Sequence, residues 1–179
     1  MTTSEPGLNP AVLARQVLEC YLENGNMPQL PDPLPPEYGM RSGVFVSLKK
    51  RGGELRGCIG TFEPVRDNLA EEIAVNAVSA AVRDPRFPPV SKAELSELNI
   101  SVDILGPIEK VNSKDELDPG KYGIMVRSGS RSGLLLPDLE GVDSVDQQID
   151  ISKRKAGIGP GEKVELFRFK VTRYGEEER

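Results

Sequence analysis

The chain has 179 residues and a formal net charge of −5, which comes from 23 basic and 28 acidic side chains. This acidic balance argues against a general nucleic-acid-binding protein, because such proteins gain affinity by neutralising phosphates. The sequence contains no histidine and only two cysteines, Cys20 and Cys58. It therefore has no Ser-His or Cys-His pair, no disulfide framework and too few ligands for a zinc site. We expect no metal and no other cofactor.

The N-terminal residues 1–10 lack the basic and apolar segments of an export signal. No apolar run in the chain approaches the ~20 residues that a membrane-spanning helix needs. The two cysteines lie in different predicted elements, and a chain without paired cysteines is typical of a reducing compartment. A soluble, cytoplasmic protein that does not bind membranes is therefore expected.

The first predicted helix begins at Pro10, with Asn9 as its N-cap, and ends at the turn of residues 24–26. Its apolar side chains recur every four residues and are Leu13, Val17 and Tyr21. Residues 27–40 contain five prolines, which exclude a helix or a central strand and predict a long surface loop. This loop is either a plain connector or, as long ordered loops often are, a lid or a partner-binding segment.

The following segment predicts a β-hairpin with a basic turn. Residues 43–48 have the composition of a strand, residues 49–54 form the turn, and the chain returns as Leu55–Thr61. The three cations of the turn are either solvated or part of a phosphate-binding patch. Alternate side chains of a strand share a face, so Arg56 and Cys58 point the same way.

Cys58 is the first candidate for chemistry, as a nucleophile or a redox thiol. Arg56 lies two residues away, about 6.5 Å along the strand, which is close enough for its guanidinium to stabilise a thiolate. Because no histidine is present to act as a base, a carboxylate such as Glu63 or Asp84 would have to take that role. The alternative is that Cys58 is a small buried apolar residue, as free cysteines often are.

A second helix is predicted to begin at Pro64 or Asp67. Its buried stripe consists of Leu69, Ile73, Ala77 and Ala80 or Ala81. The helix ends before the proline-rich residues 83–90, which predict an irregular loop. Within this loop, Asp84 and Arg86 either pair with each other or close the end of the helix.

The second half of the chain predicts further strands and one more helix. A half-buried strand is expected over Asn99–Leu105, a hairpin over residues 124–136 and a last strand over residues 164–171. Ser144 and Gln147 have the spacing of a capping box, which begins the helix.

Arg131 lies at the turn of the predicted hairpin, where it either reaches back over the sheet or is solvated. The chain as a whole shows five to seven strands, mostly in hairpins, with three helices among them. This pattern predicts an α+β fold with a mainly antiparallel sheet and helices packed on it.

Three segments resemble the motifs of a known family. The hexapeptide LRGCIG at Leu55–Gly60 resembles the signature of the AMMECR-one domain family. The segments DPRFPP at 84–89 and GLLLP at 133–137 are similar to other motifs of this family. The likeness covers nearly the whole chain, and the branch it resembles most is AmmeMemoRadiSam system protein A.

The resemblance implies an α+β fold with a larger sheet-and-helix part and a smaller appended part. It also implies one domain over residues 10–174, with flexible ends at 1–9 and 175–179. The branch is named for its association with a Memo-like protein and a radical-SAM protein, which become candidate partners. The family has no established activity, so no roles come with the motif positions, which are Arg56, Cys58, Asp84, Arg86 and Arg131.

Three functions stay open at this point. The first is an enzyme or accessory enzyme subunit, in which Cys58 is catalytic, Arg56 and Asp84 assist it, and Arg86 and Arg131 bind a small anionic substrate. The second is a non-catalytic module that docks a partner protein through the motif strand and the proline-rich loop. The third is nucleic-acid binding through the arginines and the basic turn, against which the net acidity of the chain argues.

Overall fold

Residues 8–176, the part of the chain that the computed structural model describes, contain four α-helices and eight β-strands. In chain order they are α1 (Pro10–Asn24), β1 (Val44–Lys50), β2 (Leu55–Thr61), α2 (Leu69–Val82), α3 (Lys92–Leu95), β3 (Leu98–Leu105), β4 (Glu109–Val111), β5 (Gly123–Ser128), β6 (Arg131–Leu135), α4 (Val145–Lys155), β7 (Glu165–Phe169) and β8 (Val171–Gly175). The strands form two four-stranded sheets, with the orders β2-β1-β3-β8 and β4-β7-β5-β6.

The chain divides into two compact units. The first ends at Ile104 and resumes at Arg173, and the second is Leu105–Thr172. The predicted α+β class is confirmed, and the second, smaller unit corresponds to the appended part that the resemblance implies. The limits of a single domain at 10–174 stay a prediction.

The predicted flexible ends lie largely outside the described residues, which exclude 1–7 and 177–179. At the described C-terminal end, the carboxylate of Glu176 accepts hydrogen bonds from the guanidinium of Arg15 and from the backbone N–H of Ile100. These contacts tie the end of the chain to α1 and to β3.

Helix α1 begins and ends where the sequence predicts. The side chain of Asn9 accepts the backbone N–H of Ala11, and the helix stops at Gly25, whose φ of 76° favours glycine. Helices α1 and α2 pack together, and α2 packs on β1 and β2. The core of this unit includes the largely aliphatic side chains of Leu13, Val17, Leu18, Val44, Val46, Leu48, Ile73, Ile100 and Val102.

Helix α2 begins later than predicted, at Leu69 rather than at Pro64 or Asp67. Glu72, a buried carboxylate on the helix, accepts the backbone N–H groups of residues 65 and 66 at 2.8 Å each, which holds them in a loop. The N-cap of the helix is Asn68, whose side chain accepts a backbone N–H of the first turn.

The proline-rich segment 27–40 is irregular except for a short 3-10 helix at Pro36–Tyr38. Leu30 and Leu34 pack against the core of the first unit, and Tyr38 is buried with its hydroxyl donating to the carbonyl of Leu8. Burial raises the pKa of this phenol to about 12. The loop is therefore an ordered covering of the core.

In the second unit, helix α4 begins with the predicted capping box of Ser144 and Gln147. The helix lies against β6, where a Cβ placed on Gly133 would come within 2.0 Å of the carbonyl oxygen of Ser152. Glycine permits this close approach. None of the helices formed by residues 8–176 has the length and apolar character needed to cross a membrane.

Candidate functional site

The Cys58 strand, β2, lies at the edge of its sheet, so one side of its backbone pairs with no strand among residues 8–176. Two side chains from the loop after α2 take that place. The backbone N–H of Cys58 donates to Oδ2 of Asp84 at 2.9 Å, and its carbonyl accepts Nη2 of Arg86 at 3.2 Å. An exposed strand edge is a template for unwanted pairing, and this contact covers it at one residue.

Asp84 and Arg86 pair with each other, which was one of the two arrangements expected. Nε and Nη2 of Arg86 donate to the two carboxylate oxygens of Asp84 at 3.0 and 2.8 Å. These bonds hold the pKa of the Asp84 carboxyl well below its usual range, with help from the backbone N–H groups of Cys58 and Arg86 and against the effect of burial. The Asp84 side chain is 2% exposed, whereas that of Arg86 is 55% exposed.

Arg56 does share the face of β2 with Cys58, but it is paired with a carboxylate that the sequence did not single out. Its Nε and Nη2 donate to the two oxygens of Glu94 on α3, at 2.5 and 3.0 Å. Arg56 is only 7% exposed, and its hydrogen bonds lower the pKa of Glu94. Nη1 of Arg56 is buried and has no hydrogen-bond partner among the described residues.

Cys58 is a partly exposed residue, and its thiol lies beside a hydroxyl. Ser47 faces it across the β1–β2 pair and donates from Oγ to Sγ at 3.2 Å. Ser101 on β3 is the next residue in the same row. Beyond the thiol, the ring of Phe45 lies over Gly60, where an added Cβ would be 2.3 Å from the ring. The contact of the sulfur that the structure describes is therefore a polar one, to the hydroxyl of Ser47.

Phe87 links the two arginines of the site. The guanidinium carbons of Arg56 and Arg86 lie 5.9 and 5.4 Å from the centre of its ring, within the range of a cation–π contact. The charges of this cluster balance, because Glu94 and Asp84 each neutralise one arginine. An anion would therefore have to use the donors that these carboxylates leave unclaimed.

The structure places Arg131 in the second unit, on β6. Its Nη1 donates to the carbonyl of Gly157 at 2.7 Å, and its guanidinium forms an ion pair with Glu162 at 2.5 Å. The described contacts of Arg131 involve none of the residues around Cys58. Glu63, the other carboxylate considered as a base, is exposed and has no described hydrogen bond to Cys58.

Residues 8–176 contain no group of three or more Cys, Asp or Glu side chains arranged to hold a metal ion. Sequence reasoning assigned roles to Cys58, Arg56, Asp84 and Arg86, but it assigned none to three other members of the cluster, although one of these lies in the DPRFPP motif. These are Ser47, Phe87 and Glu94. Ser47 lies beside Cys58 because β1 pairs with β2. Glu94 comes from a distant segment, and no local sequence pattern indicates that it pairs with Arg56.

A model of the AMMECR1 family matches residues 11–177. The chain belongs to the AMMECR1 family. A protein of Thermotoga maritima is 51% identical over 163 residues, which cover 90% of this AMMECR1 chain and 94% of the relative. A protein of Clostridium acetobutylicum is 48% identical over 166 residues, or 92% of this chain, but the match spans only 35% of that longer protein.

The fold agrees with that of a solved relative. The crystal structure of an uncharacterized protein from Pyrococcus horikoshii is similar with a TM-score of 0.85 and 33% identity, covering 94% of this chain and 90% of the other. The AMMECR1 chain and this relative therefore share their α+β architecture across nearly their full lengths.

Proposed function

We propose that this AMMECR1 protein is an enzyme or accessory enzyme subunit that binds a small anionic substrate beside the Cys58 thiol. One observation carries the proposal. The sulfur of Cys58, a partly exposed residue, accepts a hydrogen bond from Ser47, and the Cys58 carbonyl accepts one from the half-exposed cation Arg86. A fixed thiol with a cation next to it suits reaction with an anionic molecule.

The residues of the site take different roles in this proposal. Cys58 is the catalytic nucleophile or redox thiol. Arg86 binds the substrate through Nη1, which has no partner among the described residues. The pKa of Arg86 is raised, chiefly by its hydrogen bonds to Asp84 and in smaller part by its attraction to Cys58, so the cation is permanent. Asp84 is a positioning residue, because it accepts hydrogen bonds from the backbone of Cys58 and from the guanidinium of Arg86.

Arg56 and Arg131 have weaker support. Arg56 keeps its assisting role only through Nη1, since its other nitrogens hold Glu94. Arg131 would have to leave Glu162 before it could bind a substrate. We therefore assign the anion chiefly to Arg86.

Selective alkylation tests the proposal. In a Cys20→Ser background, Cys58 is the single thiol, and its rate of reaction with iodoacetate is compared with that for neutral iodoacetamide. Because Arg86 attracts the anionic reagent, Arg86→Gln should lower the ratio of the two rates about fivefold. Arg86→Lys should keep most of the preference.

The matched control is Arg51→Gln, which removes the same charge from the exposed turn between β1 and β2, where Arg51 pairs with Glu97. It should leave the ratio unchanged. A Cys58 that resists both reagents, or a ratio that is equal in the Arg86 and Arg51 variants, would contradict the proposed anion site.

A second candidate is a non-catalytic module that acts with Memo-like and radical-SAM proteins. The observation in its favour is the Clostridium acetobutylicum relative, in which an AMMECR1 segment is part of a much longer chain. Co-elution of the purified protein with a purified Memo-like or radical-SAM protein on size exclusion would support this role. Separate elution of all three, together with a normal iodoacetate preference, would favour the enzyme instead.

Nucleic-acid binding is the weakest proposal. Two cations of the basic turn are paired with carboxylates, Lys50 with Glu54 and Arg51 with Glu97. The chain also carries a net charge of −5. A labelled oligonucleotide that binds the protein, with an affinity that falls steeply as salt is added, would support nucleic-acid binding.

A further inference from the structure

The second unit contains an open cavity of about 210 Å³ at the end of β7. Its lining combines two cations, two aromatic rings, a proline and one carboxylate. The residues are Pro107, Glu109, Tyr122, Arg168, Phe169 and Lys170. The cavity shares no residue with the Cys58 site, and its interpretation does not depend on the function proposed for that site.

Arg168 is held in place on three sides. Its Nε donates to Glu109 at 3.1 Å and its Nη1 to the carbonyl of Glu116 at 2.9 Å. Its guanidinium carbon lies 4.7 Å from the centre of the Tyr122 ring. The backbone of Tyr122 is itself held, because its carbonyl accepts Nε2 of the buried Gln148 at 2.9 Å. A guanidinium that is already oriented loses little freedom when it binds a ligand.

Two donors at this cavity have no partner among residues 8–176. They are Nη2 of Arg168 and the ammonium of Lys170, which is exposed two residues further along the chain. With Glu109 as the single carboxylate, the lining carries a net charge of +1. This charge and the two unclaimed cationic donors favour an anionic ligand.

We propose that this cavity binds a small organic carboxylate with a flat apolar body. The carboxylate accepts hydrogen bonds from Arg168 and Lys170, and the body lies against Pro107 and Tyr122. Both unclaimed donors are cationic, and hydrogen bonds from cations to a carboxylate are among the stronger ones in proteins. The volume of the cavity is below the roughly 300–1,000 Å³ of sites for drug-sized ligands, so the ligand is a small metabolite and not a nucleotide.

Benzoate is the probe that tests this inference. In a titration of the ¹⁵N-labelled protein followed by NMR, benzoate should shift the amides of Tyr122 and Lys170 with a Kd on the order of 1 mM. Neutral benzamide, which has the same shape, should bind at least about fivefold more weakly. Inorganic phosphate should also bind more weakly than benzoate.

The structure offers a matched control for the key arginine. Arg127 on β5 also stacks on an aromatic ring, 4.6 Å from the centre of Phe167, and also pairs with a carboxylate, Glu165. Lys170→Gln should raise the Kd about threefold to fivefold, and Arg168→Gln should remove saturable binding. Arg127→Gln should bind benzoate as the unaltered protein does.

Three results would overturn the inference. The first is a Kd for benzoate that Arg168→Gln and Lys170→Gln leave unchanged. The second is equal binding of benzoate and benzamide, and the third is phosphate binding that is tighter than either. Arg168→Lys keeps the charge but not the planar group, so an intermediate Kd for this variant, with an unchanged far-ultraviolet circular dichroism spectrum, excludes misfolding as the cause of lost binding.

Discussion

Asp84 binds the backbone of Cys58, accepting its N–H at 2.9 Å, although the two residues are 26 positions apart. Arg86 closes the arrangement by donating both to Asp84 and to the Cys58 carbonyl. The carboxylate and the guanidinium therefore supply the two hydrogen bonds that a neighbouring strand would make to Cys58 at the edge of β2. The loop after α2 therefore helps to hold the strand residue that carries the thiol.

Replacing Asp84 by asparagine should destabilise the protein. The variant keeps an oxygen for the Cys58 N–H, but its amide N–H₂ meets the donors of Arg86 and the charge-assisted pair is lost. We expect the free energy of unfolding to fall by about 2 kcal/mol at pH 7, measured by urea denaturation. Asp146→Asn, which removes a carboxylate from the exposed ion pair with Lys114, should leave the urea midpoint unchanged. Equal midpoints for the two variants would contradict the clamp.

The stabilisation by Asp84 should depend on pH in one direction. The native pKa of this carboxyl lies below its ordinary value of 3.8, so the folded state binds the proton less readily than the unfolded state. The contribution is therefore complete above about pH 5 and is lost as the pH falls toward the native pKa. The gap in unfolding free energy between the unaltered protein and Asp84→Asn should be constant from pH 7 to 5.

Below pH 4, the same gap should shrink by up to about 1.4 kcal/mol per pH unit. Urea midpoints at pH 7, 5, 4 and 3 measure it, and the other carboxylates cancel because both proteins carry them. A gap that is flat or that widens in acid would mean that Asp84 is not stabilised in its charged form.

The sequence predicts those parts of the site that depend on short-range geometry. The alternation of a strand puts Arg56 and Cys58 on one face, and the spacing of Asp84 and Arg86 allows them to pair. The caps of the helices are local as well, which explains why Asn9 and Ser144 were found. These features need only neighbouring residues, and the hydrophobic periodicity then gives the α+β class.

The remaining parts depend on which segments meet. Glu94 is 38 positions from Arg56, and nothing in either segment indicates that the short helix α3 brings them together. The edge position of β2 follows from the strand order, which the sequence does not give. The late start of α2 depends in part on Glu72, which turns inward and binds the backbone of the loop before the helix.

Removing the charge of Glu94 alone from its pair with Arg56 should lower the free energy of unfolding. Glu94→Gln leaves the 7% exposed Arg56 without a counter-charge, and we expect a loss of about 3 kcal/mol in unfolding free energy. Adding Arg56→Met removes the buried charge as well. The double variant should be more stable than Glu94→Gln alone by at least about 1 kcal/mol.

The exposed pair of Lys92 and Glu23 is the control for this cycle, with both side chains more than half exposed. Glu23→Gln should leave the urea midpoint unchanged, because solvent screens such pairs. If Glu94→Gln behaves like Glu23→Gln, then Arg56 is not dependent on Glu94. If the double variant is the least stable of all, then the pair contributes net stability instead of merely satisfying a buried charge.

Gly57 in β2 lies against the backbone of α2. A Cβ added there would lie 2.2 Å from the carbonyl oxygen of Ala80 and 3.2 Å from its carbonyl carbon. Both atoms belong to the backbone of α2, so they cannot move away without shifting the helix or the strand. Gly57→Ala should therefore lower the unfolding free energy by about 3 kcal/mol. Gly52→Ala, in the turn before β2 where nothing lies within 4 Å, should not destabilise the protein.

In the Cys20→Ser background, Gly57→Ala should also change the alkylation rate of Cys58, because the strand that carries the thiol has to shift. A stable Gly57→Ala variant with unaltered Cys58 reactivity would contradict the close packing of α2 on this strand.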